Sequence, residues 1–283
     1  MLKIAISQDI QILKDFENQL VNSGIDIDFH DNSKQLLFSR DFPAEIRYLN
    51  KNHLFFSLTN GMQDLAIVHE HFLTDQRKEY ERIYSFDSTK TNLSVFVPSN
   101  MRYKDVFSFS NKRIATNVPD LVRAYFKEKR LRGINIIADD NPQSAVDVGI
   151  ADCFVELLYN VDSKRYQPAE TVLESSLALI VSPKISPEKR HVFVDELVLR
   201  LDAVQSARHQ IKVEIFCDSK NKSRLISELV KIDENILVIT TYNQKKIVIQ
   251  ATMDEKQLWD IKHYLKELQA EKIIAYDILK KIV

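Results

Sequence analysis

The chain has 283 residues, a formal net charge of −1, and 45% hydrophobic against 28% charged side chains, enough apolar material for a core in two domains and a small third. A charge this close to zero gives no global attraction to nucleic acid or an anionic membrane, and no apolar run reaches the roughly 18–20 residues of a membrane-crossing helix. Its two cysteines, Cys153 and Cys217, sit inside apolar strand-like runs, which reads as buried reduced thiols, and the start, Met1–Asp9, lacks the apolar stretch and cleavage site of a signal peptide, so a cytoplasmic protein is expected.

In chain order, Lys3 to Ile6 reads as a buried strand. Ile12, Leu13, Phe16, Leu20 and Val21 mark one face of a helix that stops near Gly24. Leu36–Phe38 and Glu45–Leu49 are strand candidates, followed by a helix from His53 to Asn60 that Gly61 ends. Leu65–Val68 is an unbroken apolar run, as in a strand covered on both faces, and Leu93–Val97 is another strand, closed by Pro98. The grammar then repeats. Arg113–Thr116 is a strand, Pro119 opens a helix with Leu121, Val122, Tyr125 and Phe126, and Ile134–Ile137 is a strand. A short helix from Pro142 to Val148 is closed by Gly149, and Asp152–Leu157 is a strand. Ala178–Val181 returns the chain to the first lobe, and Pro187 opens a long helix with Val192, Val194, Leu197, Leu199, Leu201 and Val204.

After the polar stretch Ser206–Gln210 the pattern changes. Ile211–Cys217 alternates as a strand, Ser223–Val230 is helical, and Ile236–Thr241 and Ile247–Thr252 are strands around the turn Tyr242-Asn243-Gln244. Glu255–Leu268 is a helix with Leu258, Ile261, Tyr264 and Leu265 on one face, and Ile273–Tyr276 is the last strand. Strand-helix-strand-strand-helix-strand is the ferredoxin-like order. The expected architecture is therefore an α/β core of two lobes, 1–98 with 180–206 and 99–179, plus a ferredoxin-like (ACT-like) α+β domain at 207–283 for regulation or subunit pairing.

Glycine is scarce: the chain holds four, where average usage gives roughly 20. Two of them open the same phrase, Gly61-Met62-Gln63-Asp64 before Leu65 and Gly149-Ile150-Ala151-Asp152 before Cys153. Glycine after a helix accepts a left-handed backbone, and the aspartate can bind nearby backbone donors. The repetition argues for two similar lobes with a ligand cleft between them, faced by the residues after Val68, Ile114 and Val155 at the carboxyl ends of strands.

The order of these motifs resembles the long form of ATP phosphoribosyltransferase over essentially the whole chain. Gly61–Glu70 is similar to that family's G-V-A-D-L-G-I-V-G-E, Arg113–Pro119 to R-I-A-T-x-Y-P, and Gly149–Asp152 to G-L-A-D. Asp41–Ile46 resembles the stretch before an early strand, Glu196–Val204 the helix E-L-L-F-R-I-K-A-V, and 260–283 the end of the regulatory domain. The resemblance implies a two-lobed core of the periplasmic-binding-protein-like (type II) kind. It implies transfer of phosphoribose from phosphoribosyl pyrophosphate to N1 of ATP at the head of histidine biosynthesis, with magnesium as cofactor if the chain is active. It also implies assembly as a dimer or hexamer and a third domain that binds histidine.

The polar positions depart from the family. Its Q-K-S-G-R-L becomes Ser7-Gln8-Asp9-Ile10-Gln11-Ile12, its R-x-x-D-I-P becomes Asn50–Phe55, and its V-G-E becomes Val68-His69-Glu70. The phosphate loop S-G-S-V-E becomes Asp139-Asp140-Asn141-Pro142-Gln143, and T-G-x-T becomes Tyr159–Ser163. Proline removes a backbone donor, and the lost glycine limits close approach to phosphate. One like-charge pair at ~4 Å costs about 4 kcal/mol at an effective dielectric of roughly 20. Glu156 keeps an acid where the family has aspartate, able to meet magnesium or a ribose hydroxyl. The cleft candidates are thus Glu70, Thr116, Asp139, Asp140, Asn141, Gln143, Ser144 and Glu156, with Lys51, Lys90 or Arg113 as replacement cations. Phosphate chemistry in such a cleft is expected to be weak or lost. The alternative is a non-catalytic regulatory or ligand-binding paralogue on the same fold, pairing with an active copy. The family's S-P-T in the tail becomes Glu234-Asn235-Ile236, which leaves histidine sensing open. His69-Glu70-His71 reads as strand-end polarity rather than a metal site, and Lys127–Arg132 as cations complementing a helix dipole.

Overall fold

The computed structural model describes residues 1–10, 14–27, 36–74, 80–233, 236–240 and 245–282. Gln11, Ile12, Leu13, Glu234, Asn235, Thr241 and the expected turn at 242–244 lie outside the described residues. The chain divides into two compact units, Met1–Val198 and Leu199–Val283.

The first unit runs β1 (Leu2–Ser7), α1 (Lys14–Asn22), β2 (Leu36–Phe38), β3 (Ala44–Leu49), α2 (Lys51–Thr59), β4 (Leu65–His69), α3 (Glu70–Thr74) and β5 (Glu81–Pro98). It continues with β6 (Arg113–Thr116), α4 (Pro119–Glu128), β7 (Asn135–Ala138), α5 (Pro142–Asp147), β8 (Cys153–Leu157), β9 (Tyr166–Val181) and α6 (Pro187–Lys189). A π-turn at Arg190–Val194 leads from α6 into α7 (Asp195–Ala207). The strands form one nine-stranded sheet in the order β2-β3-β1-β4-β9-β5-β8-β6-β7. Strands β3, β1 and β4 are mutually parallel, as are β8, β6 and β7. Between these groups β9 and β5 run antiparallel to each other and to their neighbours. All five residues of β4 are buried, as an apolar run without alternation requires. A core cluster containing Leu54, Leu58, Phe72, Val95, Phe109 and Val155 runs through both halves of the sheet.

Two expectations need correction here. The runs 93–97 and 178–181 are only the apolar ends of β5, 18 residues long, and β9, 16 residues long. Their remaining parts are rich in Ser, Thr and Glu and partly exposed, so a search for apolar runs misses them. Their pairing shifts register at four places, where bulges break the strict period of two. The long helix after Pro187 is broken by the π-turn, and only Val194, Leu197, Leu201 and Val204 of its six apolar residues are buried. Val192 and Leu199 are exposed, because spacings of three and four, not two, share a helix face.

The second unit contains β10 (Gln210–Asp218), α8 (Lys222–Leu229), β11 (Leu237–Thr240), β12 (Lys246–Asp254), α9 (Glu255–Glu267) and β13 (Lys272–Asp277). Its sheet is wholly antiparallel in the order β11-β12-β10-β13, the arrangement of a ferredoxin-like βαββαβ unit. Val213, Ile215, Ile247 and Ile249 pack with Leu225, Leu229, Leu258 and Leu265 of the two helices. Asp254 and Gln257 form a capping box at the start of α9. Cys153 and Cys217 are buried free thiols, as expected.

Candidate active site

The glycine–aspartate phrases build the ends of the sheet that face away from the cleft. Gly61 and Gly149 have φ of +74° and +78°, the left-handed region that glycine enters without a Cβ clash. Each closes the preceding helix with the same pair of bonds, Gly61 N–H to Leu58 and Met62 N–H to Ser57, Gly149 N–H to Val146 and Ile150 N–H to Ala145. The aspartates then act alike. The Asp64 carboxylate accepts the Lys3 N–H at 2.7 Å, and that of Asp152 accepts the Arg113 N–H at 2.8 Å. In return Asp64 N–H donates to Lys3 O and Asp152 N–H to Arg113 O. A cation completes each clamp: Lys189 on Asp64 at 2.5 Å and Arg113 itself on Asp152 at 2.9 Å. Both clamps grip the amino-terminal residues of parallel strands, β1 and β6.

The carboxyl ends of those strands converge on the other side. Lys51, after β3, donates its ammonium to Asn117 O, after β6, at 2.7 Å. His69, closing β4, shares a hydrogen bond of 2.5 Å between its Nε2 and the Tyr159 hydroxyl, after β8. These contacts join the two halves across a pocket of about 180 Å³ lined by Asp9, Asn50, Lys51, Asn52, Asn117 and Asp140. Of the three replacement cations expected, only Lys51 lines it. Arg113 serves the Asp152 clamp, and Lys90 lies 3.9 Å from Asp87, with both side chains more than half exposed.

The other candidates are held by partners within the protein. Asp140 lines the pocket, 86% exposed and 3.8 Å from the Lys51 ammonium. Asp139 accepts the Asn141 N–H at 2.8 Å, and Asn141 caps α5 by accepting the Ser144 N–H at 3.4 Å. Gln143 accepts the Asp162 N–H at 3.4 Å. Thr116 is buried, and its hydroxyl accepts the Val118 N–H at 3.1 Å. Glu156 accepts the Leu157 N–H at 2.8 Å and the Asn160 amide at 3.2 Å. Glu70 is held by Arg82 and by the Ser85 hydroxyl and is not among the residues lining the pocket. His69 follows Val68 and is expected at the cleft, but its pairing with Tyr159 is not. Their separation by 90 positions leaves no local signal.

Burial lowers the His69 pKa to about 4, and burial together with the charges of His69 and Lys51 holds His71 well below its usual value. The two rings stack with centroids 5.3 Å apart, and the His69 Nδ1 is buried without a hydrogen-bond partner among the described residues. Burial raises the Glu156 carboxyl pKa despite its hydrogen bonds, and the Asp9 charge adds to the rise. Among the described residues no three His, Cys, Asp or Glu side chains converge as a metal site, so His69 and His71 form an aromatic pair inside the core edge.

A family model described as ATP phosphoribosyltransferase matches residues 53–203. The ATP phosphoribosyltransferase of Parabacteroides distasonis is 27% identical over 286 residues, covering 100% of both chains. That of Bacteroides fragilis is 27% identical over 287 residues with the same coverage. Among solved structures, the ATP phosphoribosyl transferase (HisG:HisZ) complex from Thermotoga maritima matches with a TM-score of 0.52 and 16% identity, covering 71% of this chain and 99% of that one. The fold is thus a two-lobed α/β core of the periplasmic-binding-protein-like kind, followed by a ferredoxin-like unit. On the match of its family model, the chain belongs to the ATP phosphoribosyltransferase family, which opens histidine biosynthesis.

Proposed function

We propose that the cleft joins ATP to phosphoribosyl pyrophosphate, and that it does so slowly because its phosphate loop is already occupied by the protein's own side chains. The observation that carries this reading is the set of internal caps. Backbone N–H groups of Asn141 and Ser144, where a phosphate would be cradled, point instead at Asp139 and Asn141. A ligand phosphate has to displace those oxygens before it meets a donor, and it meets Asp139 and Asp140 on the way. Solvent reduces the repulsion. Asp140 is 86% exposed and offset by Lys51, so its share falls below the roughly 4 kcal/mol set by an effective dielectric of about 20, to about 1 kcal/mol.

Magnesium suits the donors present. Asp9, which lines the pocket, offers hard carboxylate oxygens, the ligand type this ion takes together with water and substrate phosphates. Asp9 would hold it from the protein side, and when bound it would supply charge to offset the leaving pyrophosphate.

The test is pyrophosphate release from ATP and phosphoribosyl pyrophosphate, with magnesium, in the wild-type chain and in the variant Gln8→Lys, Asp139→Ser, Asp140→Gly, Asn141→Ser. We expect slow release from the wild type and a KM for phosphoribosyl pyrophosphate about tenfold lower in the variant. An unchanged KM sinks the loop argument. No product from either protein sinks the assignment of catalysis to this cleft.

A further inference from the structure

A second pocket, of about 460 Å³, lies between the end of α4 and β7, the outermost strand of the large sheet. Arg123, Lys127, Arg130 and Arg132 line it, with Ile134 and Ile136 forming an apolar wall. None of these residues lines the cleft pocket.

The helix dipole accounts for Lys127, in the last turn of α4, but not for the whole group. Helix α4 ends at Glu128, so Arg130 and Arg132 lie beyond it. Its last carbonyls already have backbone partners: Lys129 N–H on Tyr125, Leu131 N–H on Phe126 and Arg130 N–H on Lys127. Arg130 occupies the left-handed position after the helix, with φ of +57°, where glycine is the usual residue and a side chain costs roughly 1–2 kcal/mol. Nor are the charges offset by neighbours. Arg123 pairs with Asp120 at 2.7 Å, and Lys129 lies over the Tyr125 ring. Among the described residues no carboxylate pairs with Lys127, Arg130 or Arg132, and Glu128 is the remaining acid of α4. The result is a concentrated positive site in a chain of net charge −1.

We propose that this pocket binds a phosphate-bearing small molecule. Arginine's planar donor fork suits phosphate oxygens, and several such pairs converge only on a multiply charged group. The volume falls within the range of roughly 300–1,000 Å³ typical of small-ligand sites. The isoleucine wall offers an apolar surface to whatever the phosphates carry. The site does not depend on the reading of the cleft.

Hydrogen exchange on the full chain, with inorganic tripolyphosphate or ATP as the probe at low salt, tests it. Either probe should slow exchange in residues 126–136, and Arg130→Ala with Arg132→Ala should raise the apparent Kd about tenfold. Lys127→Glu, also on the exposed face, provides a second variant should the first pair misfold. Lys51→Ala should leave the protection intact, since it alters only the cleft. Equal affinity for the two probes assigns recognition to the phosphates alone, and tighter ATP binding adds the wall. No protection with either probe at millimolar concentration overturns the proposal. So does protection that survives the arginine variants or disappears with Lys51→Ala.

Discussion

At the scale of the residue, the scarcity of glycine is informative about backbone geometry. All four glycines, Gly24, Gly61, Gly133 and Gly149, have positive φ, and among the described residues four more left-handed positions are filled by Asn111, Arg130, His209 and Gln269. The chain spends glycine only where the turn demands it, and sometimes does without. The glycine–aspartate phrases were therefore readable in advance, since a left-handed turn after a helix leaves a local mark. The histidines were not, because their burial depends on residues far along the chain. They also set a pH dependence. His69 in the fold has a pKa of about 4 against 6.5 unfolded, and His71 is shifted in the same direction. The unfolded chain therefore binds more protons as pH falls below about 6.5. The stability present above that pH is lost progressively down to about 4, by about 3 kcal/mol for His69. Urea unfolding between pH 7 and 4.5 should show this loss, and His69→Asn with His71→Asn should flatten it. A wild-type profile without slope in that window would contradict the shifts.

Among the elements, the two clamps are the same device used twice. Each aspartate receives a strand N–H and returns its own, so the turn and the strand start are tied by a two-way bond. Asp152 is held ionised by the Arg113 guanidinium and backbone, which lower its pKa. Asp152→Ala would leave the Arg113 N–H without its acceptor, at a cost of about 1–3 kcal/mol. Asp64→Ala, at the equivalent place on β1, should cost a similar amount. The two losses should add in the double variant, measured by urea midpoint, since the sites share no partner. The parallel strands, both capped helices and the ferredoxin-like unit were legible because apolar runs and alternation fix them. The strand pair β5 and β9 was only half legible. Its polar stretches pair through bulges, and hydrogen bonds between backbones write nothing into side-chain type.

For the molecule as a whole, the clamps and the cleft occupy opposite ends of the same strands. The clamped ends carry phrases similar to the family's, while at the cleft ends the resemblance sets Gln8 and Gln11 against its cations and Ile10, His69 and Asp140 against its glycines. Fold and family were legible for that reason. The pocket was legible only in part, because Asn117, Tyr159 and Lys51 meet through topology. The capped loop carries a consequence for any ligand that enters. If phosphate binds at this loop, Asp139 and Asn141 act as a resident guest and the incoming phosphate as a competitor for its seat. Exchange of one set of hydrogen bonds for another adds little to stability, and affinity is reduced by the fraction of time the seat is empty. Stability and affinity then move in opposite directions. The serine–glycine variant of the loop should melt lower than the wild type when alone, and gain more in melting temperature from phosphoribosyl pyrophosphate with magnesium. Equal gains in the two proteins would mean that the guest is never displaced.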